Sequence, residues 1–352
     1  MTRNYPLKCW YVAATTDELD GAPLGRRLLG RDVVLWRSSN GQPVAFDDHC
    51  AHRGFPLSDG HVDGERLMCG YHGCAYVADG RCVRIPTQPG VPAGMSVPTY
   101  PVLEEPPFIW IWLGSPAAAC NSRLPRTPWL NNPQWSQFSD LWQVQANYLM
   151  VHEHYLDFSY APIIYSDEVP PGMERLPSFD DVEVSETTVS YTRQLPESHL
   201  AAWEAEATGL DPHRSYSRLE SGTFASPAMH IQRWELDAGD RMYSNVRTHA
   251  LTPESDTTTH VFMRASYNYG VDDPDTETVL MSLLEKLVER DKRILERVAA
   301  HTGYDGWRSG VEFQVDAAAM HARRVVAVML AREAGRAAFR PGWAKAQPVT
   351  AN

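Results

Sequence analysis

The sequence of 352 residues lacks any apolar run of the roughly 18 residues that a membrane-spanning helix needs, so none is expected. Its first stretch, MTRNYPLKCWYVAATTDELDG, has no apolar h-region and carries acids early, so no secretory signal is expected. An excess of positive charge is also missing. Against 44 Asp and Glu stand only 32 Lys and Arg, a formal net charge of −12, which argues against a nucleic-acid surface. Internal repeats and low-complexity tracts are absent, which leaves repeat architectures without support. These absences point to a soluble cytoplasmic protein with neither membrane nor nucleic-acid partners.

What is present suits a folded globular chain, with 43% hydrophobic and 22% charged residues and a length comfortable for two domains. Twenty-six Pro and 23 Gly imply many turns. Residues 1–115 read as β-rich. Short apolar runs such as DVVLWR (32–37), PVAFDD (43–48) and FIWIWLG (108–114) are separated by turn signals, and AYVADGRCVRI (75–85) reads as a hairpin across Asp79-Gly80. A Pro-containing connector, 115–133, follows. Beyond it the pattern predicts a helix within 143–161 ended or kinked by Pro162, and β-like runs at 182–195, 222–236, 241–252 and 257–269. A long helix at about 276–301 carries the stripe Leu280, Leu283, Leu284, Leu287, Val288, Ile294, Leu295 and Val298, and a last helix lies near 316–334. The expected class is α+β, an antiparallel sheet against helices, with the boundary at 116/117.

Six Cys occur, at positions 9, 50, 69, 74, 82 and 120, and four of them lie between 50 and 82. In a long chain without a secretion signal, metal ligation is the better reading than a disulfide framework. The segments CAH (50–52) and CGYH (69–72) each carry one Cys and one His. Two such knuckles can bring two thiolates and two imidazoles together, one pair for each iron of a [2Fe–2S] cluster, with Gly54, Gly70 and Gly73 permitting tight loops. A structural zinc site more often places both Cys in one knuckle and both His in the other.

The flanks HCAHRGFPLSDG and LMCGYHGCAYVADGRC resemble the N-terminal domain of Rieske non-heme iron oxygenases, oxygenase components of the dicamba monooxygenase and vanillate demethylase type. Respiratory Rieske proteins usually add a disulfide-forming Cys to each cluster loop. Cys74 could be one, but CAHRGF offers no partner, so Cys74 and Cys82 are expected as free thiols. The resemblance implies an all-β Rieske domain over 1–116 with Cys50, His52, Cys69 and His72 as cluster ligands, then a helix-grip catalytic domain over 117–352. It also implies electrons from a ferredoxin or NAD(P)H-dependent reductase, a trimer, and O2-dependent hydroxylation or O/N-demethylation of a small, often aromatic substrate. A mixed oligomer with a related subunit is the alternative assembly.

The family places a mononuclear iron in the larger domain, held by two His and a carboxylate. Its motif falls on HEHYLDFSYAPIIY (152–165). Asp157 takes the position of an electron relay that meets a cluster His of the next subunit, by resemblance His72. Tyr160 and Tyr165 occupy the two His positions. Asp291, in ERDKRILE, matches the carboxylate and also projects from the apolar stripe of its helix, where it needs compensation. Phenols are poor Fe(II) ligands until deprotonated. His152 and His154, two apart, are expected on different helix faces. Three readings stand open: an oxygenase with a non-standard metal site, a subunit that keeps its cluster but not the catalytic iron, and a variant with both His replaced. Locally, Tyr160 and Tyr165 read as buried phenols filling an empty metal pocket.

Among other groups, Arg53, Arg66, Arg81 and Arg84 suggest a docking patch for an acidic electron donor, or solvated charges. Trp110 and Trp112 read as core. His230, His249 and His260 lie in β-runs, each more simply a packed or surface His than a cavity residue. The segment 196–215 reads as a mobile cover over the substrate cavity.

Overall fold

The computed structural model describes residues 4–303 and 311–335. The first part is β-rich as expected. Its strands are β1 (Tyr11–Thr15), β2 (Leu24–Leu28), β3 (Arg31–Arg37), β4 (Pro43–Asp47), β5 (His61–Asp63), β6 (Arg66–Met68), β7 (Ala75–Tyr76), β8 (Cys82–Arg84), β9 (Thr99–Tyr100), β10 (Val102–Glu105) and β11 (Phe108–Ile111). They form sheets ordered β1-β11-β10, β2-β3-β4-β9 and β5-β6-β7-β8. The run Val33, Val34, Leu35 and Trp36 is buried on both faces of β3, which is why it is continuously apolar rather than alternating. Trp110 and Trp112 are core, as expected. The Asp79-Gly80 hairpin joins β7 to β8, with Gly80 at φ +81°.

A short helix α1 (Pro116–Ala119) leads to the second part. It contains β12 (Ser136–Val144), α2 (Tyr148–Asp157), α3 (Ala161–Ile164), β13 (Asp181–Val184), β14 (Thr188–Ser198), α4 (Ala202–Thr208), β15 (Tyr216–Ala225), β16 (Met229–Asp237), β17 (Met242–Pro253), β18 (Thr259–Tyr267), α5 (Pro274–Thr302) and α6 (Ala317–Glu333). The seven strands make one antiparallel sheet ordered β12-β18-β17-β16-β15-β14-β13. The sheet packs against α5, whose Leu280, Leu284 and Val288 cluster with Phe138, Met263 and Tyr267. The class is therefore α+β.

Several boundaries differ from the sequence expectation. The run 222–236 is two strands, because Ser226 at φ +65° turns the chain between β15 and β16. The run 182–195 is likewise split, by the Ser185–Thr188 turn. Strand β12, whose residues gave little signal, pairs along its length with β18. The helix expected over 143–161 starts later, where the Asn147 side chain accepts the Leu149 N–H, and ends at Phe158 in the left-handed region, φ +53°. Pro162 does not terminate it. Pro162 sits in the first turn of α3, where a missing N–H costs nothing. The apolar stripe of α5 ends early: Leu295 is buried but Val298 is exposed.

The two parts share a core. Val12, Leu28 and Phe108 pack in one cluster with Leu149, Phe224 and Phe262. Backbone bonds from Leu29 N–H to Pro253 O and from Gly30 N–H to Glu254 O fasten the seam.

Candidate metal centres and substrate cavity

The two Cys/His knuckles, one between β4 and β5 and one between β6 and β7, are built alike. Cys50 N–H donates to Phe55 O and Gly54 N–H to Cys50 O, both at 2.8 Å. Cys69 N–H donates to Cys74 O at 2.9 Å and Gly73 N–H to Cys69 O at 3.1 Å. Gly54 and Gly73 both take φ +69°, and a side chain at Gly73 would also meet Pro86 at 2.8 Å. The thiols of Cys50 and Cys69 are buried, whereas His52 and His72 are exposed with ring centroids 4.6 Å apart. Cys69 accepts the backbone N–H groups of Tyr71 and His72, and the Tyr76 hydroxyl lies 3.1 Å from the Cys50 sulfur. Cys74 and Cys82 are free and buried, as expected, and burial pushes the Cys74 thiol up to about 12. All four nearby arginines, Arg53, Arg66, Arg81 and Arg84, are exposed, and Arg81 also pairs with the exposed Asp79 at 2.7 Å.

The second centre lies where α2, α3 and α5 meet. His152 and His154 diverge, as their spacing requires. His152 turns to the sheet, its Nε2 2.9 Å from Pro227 O, and burial drives its pKa down to about 4. His154 faces α5, its Nε2 2.8 Å from Asp291 Oδ1. The Tyr165 hydroxyl donates to the same oxygen. Burial raises the Asp291 pKa, against the opposing pull of His154. The Tyr160 ring stacks on His154 at 4.0 Å and 15°, and burial, with the field of Asp291, pushes its phenol well above the ordinary range. Asp157, half-buried at the end of α2, accepts the Ser159 N–H at 3.1 Å. His230 and His249 are buried with Tyr155, whose ring stacks on them at 5.6 and 4.1 Å; His260 instead bonds Arg27 O at 3.0 Å.

A cavity of about 110 Å³ adjoins this centre between the sheet and helices α3, α4 and α5. Its wall is mostly aromatic and aliphatic, including Phe158, Tyr165, Trp203, Trp234, Tyr243 and Leu283. Trp203, Glu204 and Thr208 of α4 form part of its wall, so the segment 196–215 contributes side chains to the cavity. Arg247 and Asn245 of β17 also line it. Sequence reasoning missed both. Their alternation with buried Val246 and Thr248 was a signal of one polar sheet face, but not of what that face meets.

The Rieske [2Fe-2S] domain pattern matches residues 9–101, and the pattern described as vanillate O-demethylase oxygenase C-terminal domain matches residues 144–332. The chain belongs to the Rieske oxygenase family. It is 30% identical over 301 residues to the oxygenase component of dicamba O-demethylase from Stenotrophomonas maltophilia, covering 84% of this chain and 88% of that one. It is 27% identical over 348 residues to the vanillate O-demethylase oxygenase subunit of a Pseudomonas strain, covering 94% and 96%. The crystal structure of dicamba monooxygenase bound to dicamba superposes with a TM-score of 0.85 at 27% identity, over 96% of this chain and 99% of that one.

For a Rieske oxygenase the first centre has the chemistry its cluster demands: two buried thiols, two surface imidazoles and inward amides. The second centre does not offer the family's mononuclear set. His154 is the one imidazole that meets the Asp291 carboxylate among the described residues. The carboxylate oxygen is already engaged by His154 and Tyr165, and Tyr160 brings a phenol that burial keeps protonated. No helix among the described residues is long and apolar enough to cross a membrane.

Proposed function

We propose that this chain is the oxygenase component of a reductive O2-dependent system that hydroxylates or demethylates a small aromatic compound. The observation that carries the reading is the pairing, in one chain, of a surface-facing Cys/His cluster site with an aromatic-lined cavity beside the α2–α5 centre. Cys50, His52, Cys69 and His72 would hold the [2Fe–2S] cluster, which supplies single electrons from a ferredoxin or reductase. The outward His52 and His72 suit electron entry, and exposed Arg53, Arg66 and Arg84 suit an acidic donor. In a head-to-tail trimer, Asp157 would receive His72 of a neighbouring copy. The proposed division is 1–116 and 117–352. About 110 Å³ is on the order of a single ring, since a cavity of about 150 Å³ takes up benzene.

A second reading is favoured by one observation, the internal bonding of Asp291 to His154 and Tyr165. In it the chain keeps the cluster and cavity but passes electrons to a metal-bearing related subunit. Supplying NADH, a ferredoxin–reductase pair and single-ring aromatics, with O2 uptake and product followed by mass spectrometry, separates the two. Turnover by the chain alone supports the first. Cluster reduction with no product, restored by adding a related subunit, supports the second. A chain that accepts no electrons contradicts both.

A further inference from the structure

The donors at the second centre disagree with the family's imidazole set, yet they converge. Asp291 Oδ1 is met from two sides, by His154 Nε2 at 2.8 Å and by the Tyr165 hydroxyl. A carboxylate oxygen, an imidazole nitrogen and a phenol oxygen thus crowd about one point, supplied by α5, α2 and the end of α3. Tyr160, at the start of α3, lies flat against His154, and its ring centroid is 5.8 Å from that of Tyr165. The Tyr160 hydroxyl has no hydrogen-bond partner among the described residues. Asp291 is buried, and no Lys or Arg bonds to it among the described residues. A buried carboxylate without a permanent cation beside it is costly, and neither an imidazole nor a phenol supplies one.

We propose that this centre is a site for a hard trivalent ion, Fe(III) foremost, held by Asp291, His154 and the phenolates of Tyr160 and Tyr165. Phenol is a poor ligand, but phenolate is a hard anionic oxygen donor, the type that hard cations select. Metal ligands must shed their protons to bind, and the charge of the ion drives that loss. Transfer from a ferric chelate releases the two phenol protons to solvent and leaves the iron ferric, so no electron moves. The ion replaces the hydrogen bonds of His154 and Tyr165 as the shared partner of Asp291. Two phenolates and one carboxylate match a trivalent ion in charge, whereas a divalent ion in the same set leaves an anionic complex to bury. This goes beyond the cluster assignment, and it holds whether the chain turns over substrate itself or passes electrons to a related subunit.

The test uses the full chain with its cluster, treated in air with Fe(III) nitrilotriacetate and desalted. The expected result is about one iron per chain beyond the cluster's own, with labile sulfide as the internal reference. A high-spin ferric EPR signal should appear in the oxidised protein, where a [2Fe–2S] cluster is silent, and phenolate ring modes in the resonance Raman spectrum. Loss of an outer partner alone costs roughly 10–100-fold in metal affinity, so Tyr160→Phe and Tyr165→Phe should each lower Fe(III) affinity by about a hundredfold. The double substitution should abolish the phenolate modes, and Zn(II) nitrilotriacetate should not load the site. No extra iron, extra iron without phenolate modes, modes that survive the double substitution, or Zn(II) bound in preference to Fe(III) overturns the proposal. The visible absorbance of the cluster verifies that each variant is folded. A chain that keeps its cluster and takes no extra iron fails this inference alone. A chain that shows the ferric phenolate signature without labile sulfide supports it and fails the cluster assignment instead.

Discussion

At the scale of residues, the second centre turns on donor chemistry. Imidazole is a neutral nitrogen ligand that suits Fe(II), whereas a buried phenol must first lose a proton that its surroundings hold tightly. Tyr160 is in that state, and Tyr165 spends its hydroxyl on Asp291. Restoring imidazole with the double substitution Tyr160→His, Tyr165→His is expected to raise Fe(II) retained after dialysis by about one equivalent per chain over the parent, read by metal analysis with the cluster signal as internal reference. Equal retention in parent and variant would show that the ligand identities at 160 and 165 do not limit binding. The sequence made Asp291 legible, because a carboxylate on the apolar stripe of a helix needs a partner. It did not show that His154 is that partner. The pairing depends on how α2 lies across α5, which no local pattern encodes.

At the scale of elements, the matched knuckles are the most constrained pieces of the chain. Gly73 combines a left-handed backbone with a contact that leaves no room for a methyl group. Gly73→Ala should therefore cost about 1–3 kcal/mol and lower cluster occupancy, measured as visible absorbance per chain and thermal midpoint. Unchanged values would show that the loop is not held as described. These knuckles, and the long helix α5, were readable because their signals are local: paired Cys/His spacing with glycine in one case, a sustained apolar stripe in the other. The α2–α3 break was misplaced because Pro162 suggested a stop, while the left-handed Phe158 makes it four residues earlier. Strand β12 places its apolar residues Phe138, Leu141, Trp142 and Val144 without a two-residue alternation, so its period does not register.

At the scale of the whole molecule, burial of neutral imidazoles sets a pH dependence. His152 is held at about 4, and burial also lowers His230 and His249. Below the unfolded value near 6.5 the unfolded chain binds protons that the folded chain refuses, so stability falls as pH falls toward 4. Between pH 7.5 and pH 5.5 His152 alone accounts for a loss of about 1.4 kcal/mol. Urea unfolding at pH 7.5 and 5.5 should show the loss, and His152→Gln should reduce it. A flat profile, or an identical slope in the variant, contradicts this origin. The shared core and the backbone bonds between β17 and the first part make the halves one packed body, which composition and length alone did not reveal.

The central claim is that this chain carries a Rieske cluster on Cys50, His52, Cys69 and His72. Iron and acid-labile sulfide per chain, measured together with the EPR spectrum of the reduced protein, test it most directly. The account predicts two sulfides with two cluster irons and the signal of a His-ligated [2Fe–2S] centre, all lost together in Cys69→Ser. Absence of labile sulfide, with one zinc per chain in its place, would contradict it.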